Sequence, residues 1–202
     1  IEKVPDQLGG AWIHTGTIPS KTLRETMEQI HSIEFHAGAH WVKRIIENLS
    51  TDTLMGRAQN VAKSEEMIVS KYLERNNVTV ISGYGVLTGK NEVTVELNDG
   101  NTSTFTSDNI LISTGSRPRR PADVPFDGWR IVDCDEILNL ENVPSSMIIY
   151  GGGVIGCEYA CIFSALGVEV TLIDGRDKVL QFIDQEVVAS LKSSMEKKGV
   201  KF

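Results

Sequence analysis

The sequence predicts an α/β fold in three layers that carries a small antiparallel β-meander. Three observations predict it. Apolar residues recur at helical spacing after Pro19; short runs of alternating apolar and polar residues fill 78–115; and 145–180 reads as strand, glycine turn, helix and strand.

Taken in order, "IEK" at Ile1–Lys3 reads as the tail of a strand. "GGAWIHTGTIPSKTL", Gly9 to Leu23, opens with paired glycines, passes Trp12 and Thr17, and closes on Pro19, Ser20 and Lys21. Pro19 and Ser20 suit the first turn of a helix whose apolar positions are Leu23, Met27, Ile30 and Ile33. The segment 51–77 reads as a second, mostly polar helix closed by Asn76 and Asn77. The period then changes: "VTVISGYGVLTG", "NEVTVELNDG" and "TSTFTSDNILISTG" alternate as short strands, with Asp99-Gly100 as a hairpin turn. Pro118, Pro121 and Pro125 interrupt regular structure and mark a linker. Met147 to Tyr150 then form an apolar strand leading into "GGGVIGCE".

Composition narrows the function. A net charge of -7 and a basic-run-free sequence argue against nucleic-acid or anionic-membrane partners, because nothing displaces counterions from phosphates. No apolar run reaches the roughly 18 residues of a membrane span, so a cytoplasmic protein is the expectation. Cys134, Cys157 and Cys161 are odd in number, and two lie four apart on a predicted helix. They read as structural thiols, with no metal site expected, since the histidines (His14, His31, His36, His40) lie far off in sequence.

The chemistry concentrates at Gly151, Gly153 and Gly156. The first permits a tight turn after a strand, the second lets backbone approach a pyrophosphate, and the third lets helix and strand pack closely. The following helix offers free N–H groups and its dipole to a phosphate. Asp174, at the end of the next strand, can accept both hydroxyls of an adenosine ribose. That carboxylate would repel a 2'-phosphate and favours NAD, whereas Arg176 and Lys178 could pair with the phosphate of NADP or be solvated surface charges. Use of either nucleotide is permitted.

"GGAWIHTGTIPSK", "ILISTGSRP" and "GGGVIGCEYACIF", in that order and at these separations, resemble the FAD-containing pyridine nucleotide-disulfide oxidoreductases. Within that family, "HTGTIPSKTLR" and "FIDQEVVASL" are most similar to the soluble pyridine nucleotide transhydrogenases. The resemblance covers essentially the whole chain. It implies tandem Rossmann-like domains, FAD-binding over 1–142 and the first part of an NAD(P)-binding domain over 143–202. It also implies that the chain is a fragment, with an FAD-binding glycine unit before it and a domain for homodimerisation after Phe202.

Residue roles follow from the same resemblance. Glu2 would meet the FAD ribose; Gly9, Gly10 and Gly16 its phosphates and ring; Tyr84 and Gly85 the adenine; Thr114 and Gly115 a second FAD contact. Lys21 would lie near the flavin N5, with Glu158 as its ion-pair partner, and Ile155 near the nicotinamide. A surface lysine in a first helical turn is the alternative for Lys21 taken alone. A buried lysine and glutamate are costly to desolvate unless paired.

The family's reductases carry GGTC-x-x-x-x-C before IPSK, and the two cysteine positions are Trp12 and Thr17 here. Disulfide exchange needs a thiolate and a disulfide, so this chain is expected to move hydride between NADPH/NADP and NAD/NADH by way of FAD instead. A dithiol-less quinone or dye reductase, a dihydrolipoamide dehydrogenase-like protein, and a non-enzymatic dinucleotide-binding remnant are the alternatives.

Overall fold

A computed structural model describes residues 1–48 and 50–202, without the side chains at 33–37, 39, 42, 43 and 47. The expected place of Ile33 on an apolar helix face, and the side chain of His36, therefore lie outside the described residues. The chain divides into two compact units, residues 1–19 with 59–119, and residues 20–58 with 120–202. Its helices in the first half are α1 (Gly10–His14), α2 (Thr17–Ala37), α3 (Ala39–Glu47) and α4 (Thr51–Arg75). α1 and α3 were not expected from the sequence; α3 holds Trp41 with Ile45 and Ile46 four and five residues on, short of the repeat length that makes a period visible.

In the first unit, β1 (Gly83–Gly89), β2 (Glu92–Leu97) and β3 (Thr102–Thr106) form an antiparallel meander in that order. β2 and β3 are joined through Asp99-Gly100. Gly100 adopts φ +83°, and the Asp99 carboxylate accepts the Asn101 N–H at 3.0 Å. Val95 and Ile13 are fully buried. Glu2 pairs with Ser82 as an isolated parallel bridge, its N–H donating to the Ile81 carbonyl at 2.9 Å and its carbonyl accepting the Gly83 N–H at 2.9 Å.

One expected strand is absent. "NILISTG" forms no strand among the described residues, and Leu111 is 89% exposed. Backbone N–H and C=O groups make a strand only when a neighbouring strand takes them up, and no described residue pairs with 109–116.

The second unit contains β4 (Ser146–Tyr150), α5 (Val154–Ala165), β5 (Glu169–Ile173) and α6 (Gln185–Lys197), preceded by a 3-10 turn at Glu136–Asn139. β4 and β5 are parallel, from Ser146 beside Glu169 to Tyr150 beside Ile173. Parallel neighbours need a crossover, and α5 supplies it. On the far edge of β5, Lys201 continues the parallel ladder, donating to the Val170 carbonyl at 2.9 Å and accepting from the Leu172 N–H at 2.8 Å. The core joins Leu23, Met27 and Ile30 of α2 and Leu54 and Met55 of α4 to Ile162 and Phe163 of α5 and to Val170 and Leu172 of β5.

The linker is pinned by charge. Asp133 and Glu136 form a reciprocal cap: the Asp133 carboxylate accepts the Glu136 N–H at 3.0 Å, and the Glu136 carboxylate accepts the Asp133 N–H at 3.3 Å. Arg120 joins both carboxylates, at 2.7 and 2.6 Å, and lies 5.0 Å from the Phe126 ring centre. No helix among the described residues is long and apolar enough to cross a membrane.

Candidate dinucleotide-binding site

The turn between β4 and α5 is built by three glycines with three different demands. Gly151 continues the ladder, its N–H donating to the Ile173 carbonyl at 2.7 Å, and then turns at φ +119°, where a side chain would be strained. A Cβ on Gly152 would lie 2.5 Å from Val179 Cγ1, and one on Gly156 would lie 1.9 Å from the Gly151 carbonyl oxygen. Those two residues are therefore required by the chain's own packing. Gly153 differs: a Cβ there would meet no protein atom within 4 Å. The chain's own packing does not require a glycine there, and the open space would admit the close approach of a pyrophosphate.

Gly153 caps α5 without any side-chain hydrogen bond. The first-turn N–H groups of α5 are thus not capped by a side chain and face the turn with the positive end of the helix dipole. Ile155, in that first turn, is exposed.

Asp174 follows β5 and closes the site from the other side. Its Oδ2 accepts the Gly152 N–H at 2.5 Å and Arg176 Nη2 at 2.7 Å; its Oδ1 accepts the Arg176 N–H at 2.9 Å and Arg176 Nε at 2.8 Å. The Asp174 side chain is 8% exposed and that of Arg176 52%. The guanidinium first, then the two amides, hold the Asp174 carboxyl well below the usual carboxylate range. The Gly152 carbonyl in turn accepts the Leu180 N–H at 2.9 Å, so the loop after Asp174 is tied back to the glycine turn. Sequence reasoning passed over Gly152; the unbroken run of three glycines was the available signal. Lys178 is exposed and makes no ion pair among the described residues.

Lys21 and Glu158 lie in the same unit, on α2 and α5. They do not form the expected ion pair: Lys21 is exposed, and Glu158 is half-buried without a salt bridge among the described residues. Arg24, three residues further along α2, is bonded at 2.9 Å to Glu28, and Glu158 adds only a minor attraction to it. Lys21 starts the helix with its side chain in water, where the cost that would demand a partner does not arise. Arg24 was not singled out from the sequence; its position one turn beyond Lys21 was the signal.

The first unit gathers the other candidates only in part. The bridge to Ser82 sets Glu2 beside the start of β1, where Tyr84 and Gly85 follow Gly83, and Lys3 Nζ stacks 4.8 Å from the centre of the Tyr84 ring. The Glu2 carboxylate accepts the Val4 N–H at 3.1 Å. Gly9 and Gly10 both have positive φ, and the Gly16 N–H donates to the Ala11 carbonyl at 2.6 Å, closing the turn between α1 and α2. A Cβ on Gly16 would stand 2.9 Å from that oxygen. Trp12 is 52% exposed and Thr17 is exposed. Thr114 and Gly115 are exposed, with Gly115 at φ +75° and no contact to the Glu2 group given by any hydrogen bond among the described residues. No group of three or more metal-ligating side chains occurs among the described residues.

Comparisons with known proteins identify the family. The family model described as pyridine nucleotide-disulphide oxidoreductase matches residues 2–202. The chain is 41% identical over 201 residues to the soluble pyridine nucleotide transhydrogenase of Vibrio vulnificus, covering 99% of this chain and 42% of the relative. It is 41% identical over 199 residues to the protein of the same name from Mycobacterium bovis, covering 96% and 42%. The chain thus spans less than half the length of these relatives. Among solved structures, LpdA from Mycobacterium tuberculosis superposes with a TM-score of 0.86 at 27% identity, over 97% of this chain and 43% of that one. The HOCl-induced flavoprotein disulfide reductase RclA from Escherichia coli shares the fold, with a TM-score of 0.79 at 22% identity, over 99% and 41%.

Proposed function

The chain belongs to the pyridine nucleotide-disulphide oxidoreductase family, and on that premise we propose that it is part of an enzyme moving hydride between NADPH/NADP and NAD/NADH through FAD, without a redox disulfide. The names of its 41% identical relatives support the reading. The observation that carries it is a joint one: the glycine turn and Asp174 are fully built, while Trp12 and Thr17 stand where a dithiol would have to be.

The residues fit both nucleotides. For the nicotinamide dinucleotide, Gly153 leaves open approach to the first turn of α5, and Asp174 would accept ribose hydroxyls in place of the Arg176 guanidinium that now occupies its oxygens. For FAD, Glu2 lies beside Tyr84 and Gly85, and the positive-φ glycines Gly9 and Gly10 keep that loop free of side chains. Gly16, Thr114 and Gly115 complete the proposed FAD set. When bound, FAD would supply an electron carrier that accepts hydride from one nicotinamide and returns it to another.

The protein's part is orientation and charge. Lys21, exposed on α2, would present its ammonium near the flavin N5; Glu158 would be its partner only if that side chain turned from water toward α5 when FAD is bound. Ile155, exposed on α5, would pack against the nicotinamide. We assign 1–142 to the FAD-binding domain and 143–202 to the first part of the NAD(P)-binding domain, in a homodimeric protein.

The test uses the full-length protein with FAD: NADPH is offered together with an oxidised NAD analogue or a quinone. Transfer to the analogue is expected. Reduction of the quinone alone would replace the proposal with a dye-reductase reading.

A further inference from the structure

Asp174 has two carboxylate oxygens and about four acceptor positions, and four protein donors take them: the amides of Gly152 and Arg176 and the Nε and Nη2 of Arg176. The amides are part of the turn and stay. The guanidinium is different, because its side chain is 52% exposed and nothing else among the described residues holds it. Its two parallel N–H donors reach one oxygen each, at 2.8 and 2.7 Å. A ribose 2',3'-diol offers the same pattern, two neighbouring O–H donors to one carboxylate.

We infer that Arg176 is the specificity-determining residue of this site, a latch that stands in for the ribose diol on Asp174 and swings off to clasp a 2'-phosphate. The inference rests on the proposed nicotinamide-nucleotide site and deepens it. With NAD, the diol must displace the guanidinium from Asp174, so Arg176 competes with the ligand. With NADP, the 2'-hydroxyl is replaced by a phosphate that cannot donate and that Asp174 repels. Arg176 then leaves Asp174 for the phosphate, where the same planar fork makes charge-assisted bonds. One side chain therefore disfavours one nucleotide and favours the other. Arg176 touches only the nucleotide's adenosine end under this scheme, so it governs binding rather than hydride transfer.

The test is calorimetric titration of the oxidised, FAD-loaded full-length protein with NAD and, separately, with NADP; neither reduces an oxidised flavin, so binding alone is read. Arg176→Ala keeps both backbone bonds to Asp174 and is expected to tighten NAD by about two- to five-fold, the scale of an exposed ion pair. The same variant is expected to weaken NADP by about ten- to a hundred-fold. Arg176→Lys keeps the charge without the fork and should fall between wild type and Ala for NADP. Wild-type protein that binds both nucleotides, with Ala weakening NAD or leaving NADP unchanged, overturns the latch alone. Wild-type protein that binds neither overturns the nucleotide site and the latch with it.

Discussion

At the scale of single residues, the site separates glycines that the fold needs from one that a ligand would need. Gly152 and Gly156 sit against Val179 and the Gly151 carbonyl, so any side chain collides with the chain itself. Gly153 collides with nothing, which no packing argument explains. Asp174 ties these glycines to the end of β5, and its titration has a definite sign. The Arg176 guanidinium, helped by the Arg176 and Gly152 amides, lowers the folded carboxyl below its unfolded value of about 3.9. A depressed folded value means that the stabilisation is complete above the unfolded value and is lost as pH falls toward the folded one. The stability advantage of wild type over Asp174→Asn should therefore be flat above about pH 5 and shrink below about pH 4. Denaturant unfolding at a series of pH values reads this directly; an advantage that grew on acidification would contradict it.

At the scale of elements, what was readable in the sequence was whatever rests on local pattern. β4, the glycine turn, α5 and β5 were legible because an apolar strand, a glycine signature and a strand-terminal acid are written within thirty residues. α4 and the Asp99-Gly100 hairpin were legible for the same reason. What failed depended on partners distant in sequence. "NILISTG" has the composition of a strand, yet strand formation depends on a neighbour that local pattern cannot supply. Lys21 and Glu158 were expected as a pair, whereas Lys21 is exposed on α2 and makes no salt bridge to Glu158 among the described residues. α6 shows how strongly a local signal can act: the Asp184 carboxylate accepts the N–H groups of Glu186 and Val187 at 2.9 and 3.4 Å, satisfying donors that the helix start leaves over. Asp184→Ala should cost about 1 kcal/mol, read as a lower denaturation midpoint at unchanged slope. Because α6 leads directly to the Lys201 pairing on β5, faster amide exchange at Leu172 should accompany the loss.

At the scale of the whole chain, redox chemistry is decided by where sulfur is and how it is held. Disulfide exchange requires an accessible thiolate. Positions 12 and 17 are exposed but carry Trp and Thr, while the cysteines present are all unpaired and none is exposed. Burial, the leading cause in each case, pushes the thiols of Cys134, Cys157 and Cys161 up. Asp135 and Asp133 add to this at Cys134, and Cys161 adds to it at Cys157; Lys198 and Arg24 oppose it only at Cys161. The chain thus separates exposure from sulfur, and the separation can be measured residue by residue. At pH 7, iodoacetamide should alkylate Cys134, Cys157 and Cys161 in the folded protein about ten-fold or more slowly than in the denatured chain, as mapped by peptide mass. In the double variant Trp12→Cys, Thr17→Cys, the two new thiols should react first, because they occupy exposed positions. Rapid labelling of any native cysteine would mean that a thiolate is available after all, and a sulfur-based route would then have to be weighed against the proposed hydride transfer through FAD.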